Sequence, residues 1–312
     1  MYVTLAVLLA TFGVLILSMD DDDDETEGEI RGTSGDDELF GTDGNDIMRG
    51  WAGDDIIHGG AGDDEIRPGE GDDTVYGGDG RDWIIGSPGN DELYGQVGGD
   101  RVFGGEGNDL IDGGYGSDRL GGQDGDDTIF GGFDSRLIDG EIVPAEQSTD
   151  TITGGEGNDT IYIWGGNGTA DGEAGEDDLI LVTGPATLTG GSGADDFFVL
   201  ANVTDDQLTE ATIEDFNPFS DTLTLTIDHV PDGGTLPDVD VTMTQMTVDG
   251  VNGVMVEAVY AGPGDVPAEF EGALAFLKGV TVDQLNDSNV DVVSTTEADL
   301  FDPEATMSAV TA

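Results

Sequence analysis

The sequence predicts an all-β chain: a parallel β-roll solenoid of nonapeptide repeats, with a small β-rich C-terminal domain and an N-terminal hydrophobic helix. Three observations predict it. From Gly32 to Phe198 a nine-residue pattern recurs, with Gly at position four, Asp at position six and an apolar residue at position eight. Its frame runs without slippage through eleven consecutive units, to Phe130. A fixed short period marks a solenoid, because one unit cannot bury its apolar face alone. Finally, 69 acidic residues face eight basic ones, for a formal net charge of -61, yet the acids are spaced among Gly and apolar residues. Blocks of like charge would mean disorder; periodic spacing points to a fold neutralised by a cation.

Composition excludes several classes of partner. Nucleic acid is not one, since phosphate binding needs clustered Lys and Arg. The chain has no cysteine, and its two histidines, His58 and His229, lie far apart, which argues against a zinc site. Abundant carboxylate and carbonyl oxygen suits a hard cation, Ca2+ above all.

In chain order, Tyr2 to Met19 is an uncharged apolar run. As helix it would rise about 27 Å, enough to cross a hydrocarbon core. Residues 1–19 are read as an anchor holding the chain at a membrane, or as a secretory signal segment; the basic n-region and Ala-x-Ala site of the latter are missing. Residues 20–31, led by Asp20 to Asp24, read as a solvated acidic linker.

The repeat array spans residues 32–198. Small residues at positions one to four supply turn angles that a Cβ resists. Positions six to nine read as a short strand with one inward side chain. The inward set is Leu39, Met48, Ile57, Ile66, Val75, Ile84, Leu93, Val102, Ile111, Leu120 and Ile129. Two units make one coil, so residues eighteen apart stack at about 4.8 Å. Residues 134–149 interrupt the array as a bulging loop, and the frame resumes at Asp150.

The position-six carboxylates are the candidate metal ligands: Asp37, Asp46, Asp55, Asp64, Asp73, Asp82, Asp91, Asp100, Asp109, Asp118, Asp127, Asp150, Asp159, Asp177 and Asp195. Gly168 and Ala186 replace Asp in alternate late units, so sites should continue along one edge and stop near the insertion on the other. Each carboxylate lies beside a Gly-rich turn whose carbonyls complete about six oxygen ligands, as calcium accepts. Without metal, charges about 4.8 Å apart repel by roughly 0.9 kcal/mol even in bulk water. Repulsion and glycine ordering entropy should then leave the array unfolded until calcium binds.

Residues 199–294 lose glycine and gain Thr and Val. Thr222 to Ile227 and Val241 to Val248 alternate as strands, and Val254 to Tyr260 can return as the second arm of a hairpin. Residues 295–312 form an acidic, then small and polar, tail.

The repeat resembles that of the repeats-in-toxin (RTX) family of calcium-binding β-roll proteins. Gly-Gly-Glu-Gly-Asn-Asp at Gly104–Asp109 and at Gly154–Asp159 carries the resemblance, with Ile213 to Phe216 and Asp221 to Leu225 similar to the strand that follows such rolls. It implies type I export guided by an uncleaved C-terminal signal, and a roll that folds only in extracellular calcium. The N-terminal apolar run departs from that pattern, since type I export does not need it.

No catalytic residue is assigned. Thirty-one residues before the array are too few for an enzyme domain, and neither His-Glu-x-x-His nor Gly-x-Ser-x-Gly occurs. The expected function is therefore a non-catalytic, calcium-binding extracellular protein. One alternative is a surface adhesin for a glycan or protein; another is an exported hydrolase with a cryptic site. The adhesin reading uses position nine of alternate units: Phe40, His58, Tyr76, Tyr94, Asp112, Phe130, Tyr162, Ile180 and Phe198. Lined up on one outer face, these either brace neighbouring strands or offer a platform.

Overall fold

The computed structural model describes residues 29–132, 135–138, 141–144, 149–164, 167–202, 210–228, 239–248, 250–260, 271–286 and 289–295. The predicted N-terminal helix and acidic run up to residue 28, and the tail beyond residue 295, lie outside them. Among the described residues no helix is long and apolar enough to cross a membrane.

Alternate units feed alternate sheets. Strands such as Ile47–Ala52, Glu65–Glu70, Trp83–Pro88 and Arg101–Glu106 belong to a 13-stranded sheet. Those between them, such as Ile56–Ala61, Thr74–Asp79 and Glu92–Val97, belong to an 11-stranded one. Pairing is parallel with an eighteen-residue register, Met48 beside Ile66 and Ile57 beside Val75, as two units per coil require. The position-eight residues from Leu39 to Ile129 are all at most 1% exposed and form one column between the sheets.

The strands are longer than the sequence suggested, and shifted. Each full strand starts at position seven and continues through positions one to three of the next unit, as in Ile47–Ala52. Both position eight and the following position-one glycine face inward. The turn is confined to positions four to six, where Gly53 has φ +112° and Gly89 φ +151°. Side chains with a Cβ disfavour such angles, so Gly at position four is required by the turn itself.

Two further expectations change. The insertion is not a plain loop: Ser135–Ile138 and Glu141–Pro144 pair antiparallel as a two-stranded hairpin. The C-terminal strands also continue the roll's own sheets. Thr222–Asp228 and Val290–Thr295 extend the second sheet in parallel; Glu210–Ile213 and Glu271–Lys278 extend the first. The expected hairpin is present, Val239–Val248 against Val251–Tyr260, with Val248 opposite Val251 and Gly250 at φ +86°. It pairs antiparallel with Glu271–Lys278 and closes one end of the first sheet.

Candidate metal centre: the two aspartate ladders

The position-six aspartates form two ladders, one along each edge of the roll. All fifteen are buried, none more than 8% exposed. In each ladder the Oδ1 of one Asp accepts a hydrogen bond from the backbone N–H of the Asp one coil earlier. Asp55 Oδ1 takes that of Asp37 at 2.7 Å, and Asp64 Oδ1 that of Asp46 at 2.8 Å. The chain of contacts crosses the insertion unbroken, Asp118 N–H to Asp150 at 3.0 Å and Asp127 N–H to Asp159 at 2.9 Å. One ladder ends at Asp150, because Gly168 and Ala186 follow on that edge. Near that end an open cleft of about 130 Å3 is lined by Gly168, Ala186 and their neighbours, with no carboxylate in it.

The other ladder runs one rung past the fifteen. Asp195 N–H donates to Asp221 Oδ1 at 3.4 Å, and Asp221 is itself buried. The sequence reading missed Asp221 because the glycine frame is gone there, although Leu223 still stands two residues on, the spacing of positions six and eight. Asp215 was also missed; its two oxygens accept the N–H groups of Gly190 and Gly191 at 2.9 Å.

The second carboxylate oxygen separates the middle of the ladders from their ends. In Asp55, Asp64, Asp73, Asp82, Asp91, Asp100, Asp109, Asp118, Asp127, Asp159 and Asp177, Oδ2 is buried without a hydrogen-bond partner. At the ends the protein satisfies it: Thr33 N–H and Oγ1 reach Asp37 Oδ2 at 2.5 and 2.9 Å, and Thr42 does the same for Asp46 at 2.6 and 2.9 Å. At the last rung Asn217 N–H donates to Asp221 Oδ2 at 2.7 Å. A buried carboxylate oxygen with no donor is strongly unfavourable, and here it recurs eleven times.

Ten of the eleven orphaned oxygens share their space with a backbone carbonyl, the exception being Asp73, whose unit begins with Pro68. A Cβ built on Gly50 would lie 2.0 Å from Asp55 Oδ2 and 2.5 Å from the Pro68 carbonyl oxygen. On Gly77 it would lie 2.6 Å from Asp82 Oδ2 and 2.8 Å from the Gly95 carbonyl oxygen. Position-one glycine thus leaves a cradle bounded by carboxylate and carbonyl oxygen. Among the described residues no three acidic or histidine side chains converge on one point. The donor set is carboxylate plus main-chain carbonyl, which fits a hard, geometrically tolerant cation such as calcium.

Electrostatics agree with that fit. Desolvation, then neighbouring carboxylates, raise Asp64 to about 7 and Asp91 and Asp118 to about 8, against a lowering effect of the ladder N–H. An amide at rung 91 would keep the Oδ1 acceptor and remove the charge. Asp91→Asn is therefore expected to raise the pH at which the metal-free chain loses its strand signal. The same variant should raise the half-saturating calcium concentration by about tenfold, one ligand charge being lost. A circular dichroism titration of each variant against pH and against calcium reads both effects.

Comparison with known proteins follows the same lines. The model of the RTX calcium-binding nonapeptide repeat (4 copies) matches residues 31–66, 68–102, 94–129, 103–138 and 146–170. Those residues are RTX calcium-binding nonapeptide repeats, built as the β-roll described above. No curated protein sequence matches it. Among solved structures it is similar to the R2 and R3 subunits of AlgE6, a mannuronan C5-epimerase of Azotobacter vinelandii. The R2 match is 24% identical, covering 58% of this chain and 94% of that one, with a TM-score of 0.22. The R3 match is 16% identical, covering 83% and 79%, with a TM-score of 0.20. A third is the extracellular lipase LipA of Serratia marcescens, 17% identical, covering 84% of this chain and 42% of the lipase, TM-score 0.21. The assignment of the repeats rests on the match over residues 31–170.

Proposed function

We propose that this chain is an extracellular, non-catalytic protein whose roll folds on binding several calcium ions. The observation that carries it is the set of eleven buried Oδ2 atoms without donors, ten of them beside a position-one glycine cradle. The calcium ligands are assigned to those eleven aspartates together with the adjacent carbonyls. Asp37 and Asp46, whose Oδ2 the chain itself satisfies, close the ladders' start instead. Asp150 and Asp195 lie at or near the far ends of the two ladders.

Per-unit magnitudes favour metal-dependent folding. One buried aliphatic residue stabilises each unit by about 1.5–3 kcal/mol. Two carboxylates about 4.8 Å apart repel by roughly 3.5 kcal/mol at an effective dielectric of 20. Calcium between coils reverses that sign and contributes its binding free energy to folding. A roll that needs abundant calcium belongs outside the cytoplasm, consistent with the secreted habit implied by the family resemblance.

Native mass spectrometry of the full chain, with limited proteolysis alongside, tests this reading. Several calcium ions per molecule and cleavage within 32–198 only in chelator are expected. A chain that binds none, or resists protease equally in both conditions, contradicts it.

A further inference from the structure

The aromatic stripe on the second sheet is not one continuous face. Phe40, His58, Tyr76 and Tyr94 stack with ring centroids 4.9, 5.0 and 5.1 Å apart and planes within 9° of parallel. The next rung is Asp112, in register with Tyr94 on one side and Phe130 on the other. Stacking resumes at Phe130 and Tyr162, 4.7 Å apart, but these belong to a buried cluster with Trp164 and Ile180. The exposed part of the column therefore ends at Asp112, and the side of the Tyr94 ring toward Asp112 has no aromatic rung against it.

At this break lies an open groove of about 590 Å3, bordered by Tyr76, Tyr94, Gln96, Asp112 and Tyr115, with Asp79 also on its lining. One feature there is unexplained by the roll. Asp112 is half-buried and accepts only one hydrogen bond, from Gly114 N–H at 3.0 Å, and desolvation pushes its carboxyl to about 6. Gln96 stands at position two of its unit, where the repeat imposes positive φ on glycine and non-glycine alike (Trp51 +90°, Ser87 +92°, Gln96 +75°, Gln123 +86°), and its amide borders the groove.

The lining chemistry selects a ligand. Tyrosine ring faces suit the C–H face of a pyranose and attract a nearby cation. The charged groups lining the groove are both aspartates, and no basic residue joins them. With a net charge of -61, the chain repels uronates, sulfates and phosphates. We propose that this groove binds a hexosamine unit bearing a free amino group, its ring against Tyr94, its ammonium at Asp112 and a hydroxyl at Gln96. The site depends on the calcium-folding reading only in that the roll must be folded to form it.

The test uses the calcium-loaded full chain and methyl β-glucosaminide, a probe with one charge, titrated by NMR with saturation transfer. Saturable 1:1 binding is expected, with methyl β-glucoside at least tenfold weaker and methyl β-glucuronide weaker still. Asp112→Asn and Tyr94→Ala should each weaken binding at least tenfold. Asp124→Asn, the same charge change at an exposed strand end of the other sheet, should leave it unchanged. If a variant fails to fold, saturation transfer from tyrosine ring protons to the sugar in the unaltered chain decides the matter. The inference is overturned if a chain that circular dichroism shows to be folded fails to bind. Equal binding by the glucuronide, undiminished binding by Asp112→Asn, or no transfer from tyrosine overturns it too. Absence of strand signal from the calcium-loaded parent would instead count against the calcium-folding reading.

Discussion

Gly89→Ala is expected to destabilise the calcium-loaded roll by more than about 3 kcal/mol, the severe end of the range for single substitutions. Gly89 sits at position four with φ +151°, and a Cβ there would lie 1.7 Å from the Gly71 carbonyl oxygen of the coil before. The clash is with backbone, so no rotamer relieves it; the coils would have to part and lose their ladder hydrogen bonds. Gly35→Ala provides the control. It occupies the same position in the first unit, where nothing lies within 4 Å of its Cβ. A change within about ±0.5 kcal/mol is expected there. Calcium-loaded thermal melts of the two variants measure the contrast; similar losses would mean the glycines serve something other than coil stacking.

Acid is expected to do part of calcium's work. The ladder aspartates have folded-state values raised above the ordinary 3.8, to about 6 for Asp55 and Asp73, about 7 for Asp127 and about 8 for Asp118. Desolvation is the largest cause in each case. Below about pH 4 each group is protonated in both states and its charge opposes nothing. As pH rises from about 4 to 8 the unfolded chain loses its protons first, binds fewer than the folded chain, and stability falls. The metal-free chain should therefore gain strand content on acidification and lose it toward neutral pH. Calcium competes with those same protons, so its affinity should fall as pH drops. Circular dichroism in chelator across pH 3–8 checks this, and a metal-free chain growing more ordered with rising pH would reverse the account.

Much of this architecture was legible because a nine-residue period leaves little freedom. Leu39 to Ile129 could be assigned to one column, and all fifteen position-six aspartates to the edges, from spacing alone. The strand limits were misplaced because Gly at position one reads as turn. In three dimensions it is an inward strand position kept bare by the carboxylate beside it, as Gly104 is by Asp109 Oδ2 at 1.9 Å from its would-be Cβ. Asp37 and Asp46 differ from the later rungs because Thr33 and Thr42 donate their N–H and hydroxyl groups to Oδ2, and threonine at position two of these first two units was a signal the sequence reading passed over. The aromatic stripe was seen, but not its division at Asp112, because burial of Phe130 and Tyr162 depends on packing with Trp164 and Ile180.

The most direct test is far-ultraviolet circular dichroism of the full chain at neutral pH, begun in chelator and titrated with calcium. Cooperative appearance of strand signal is predicted, from a spectrum lacking it, with magnesium ineffective at equal concentration. Full strand signal in chelator, unchanged by added calcium, would contradict the claim that the orphaned Asp oxygens need a cation before the coils can stack.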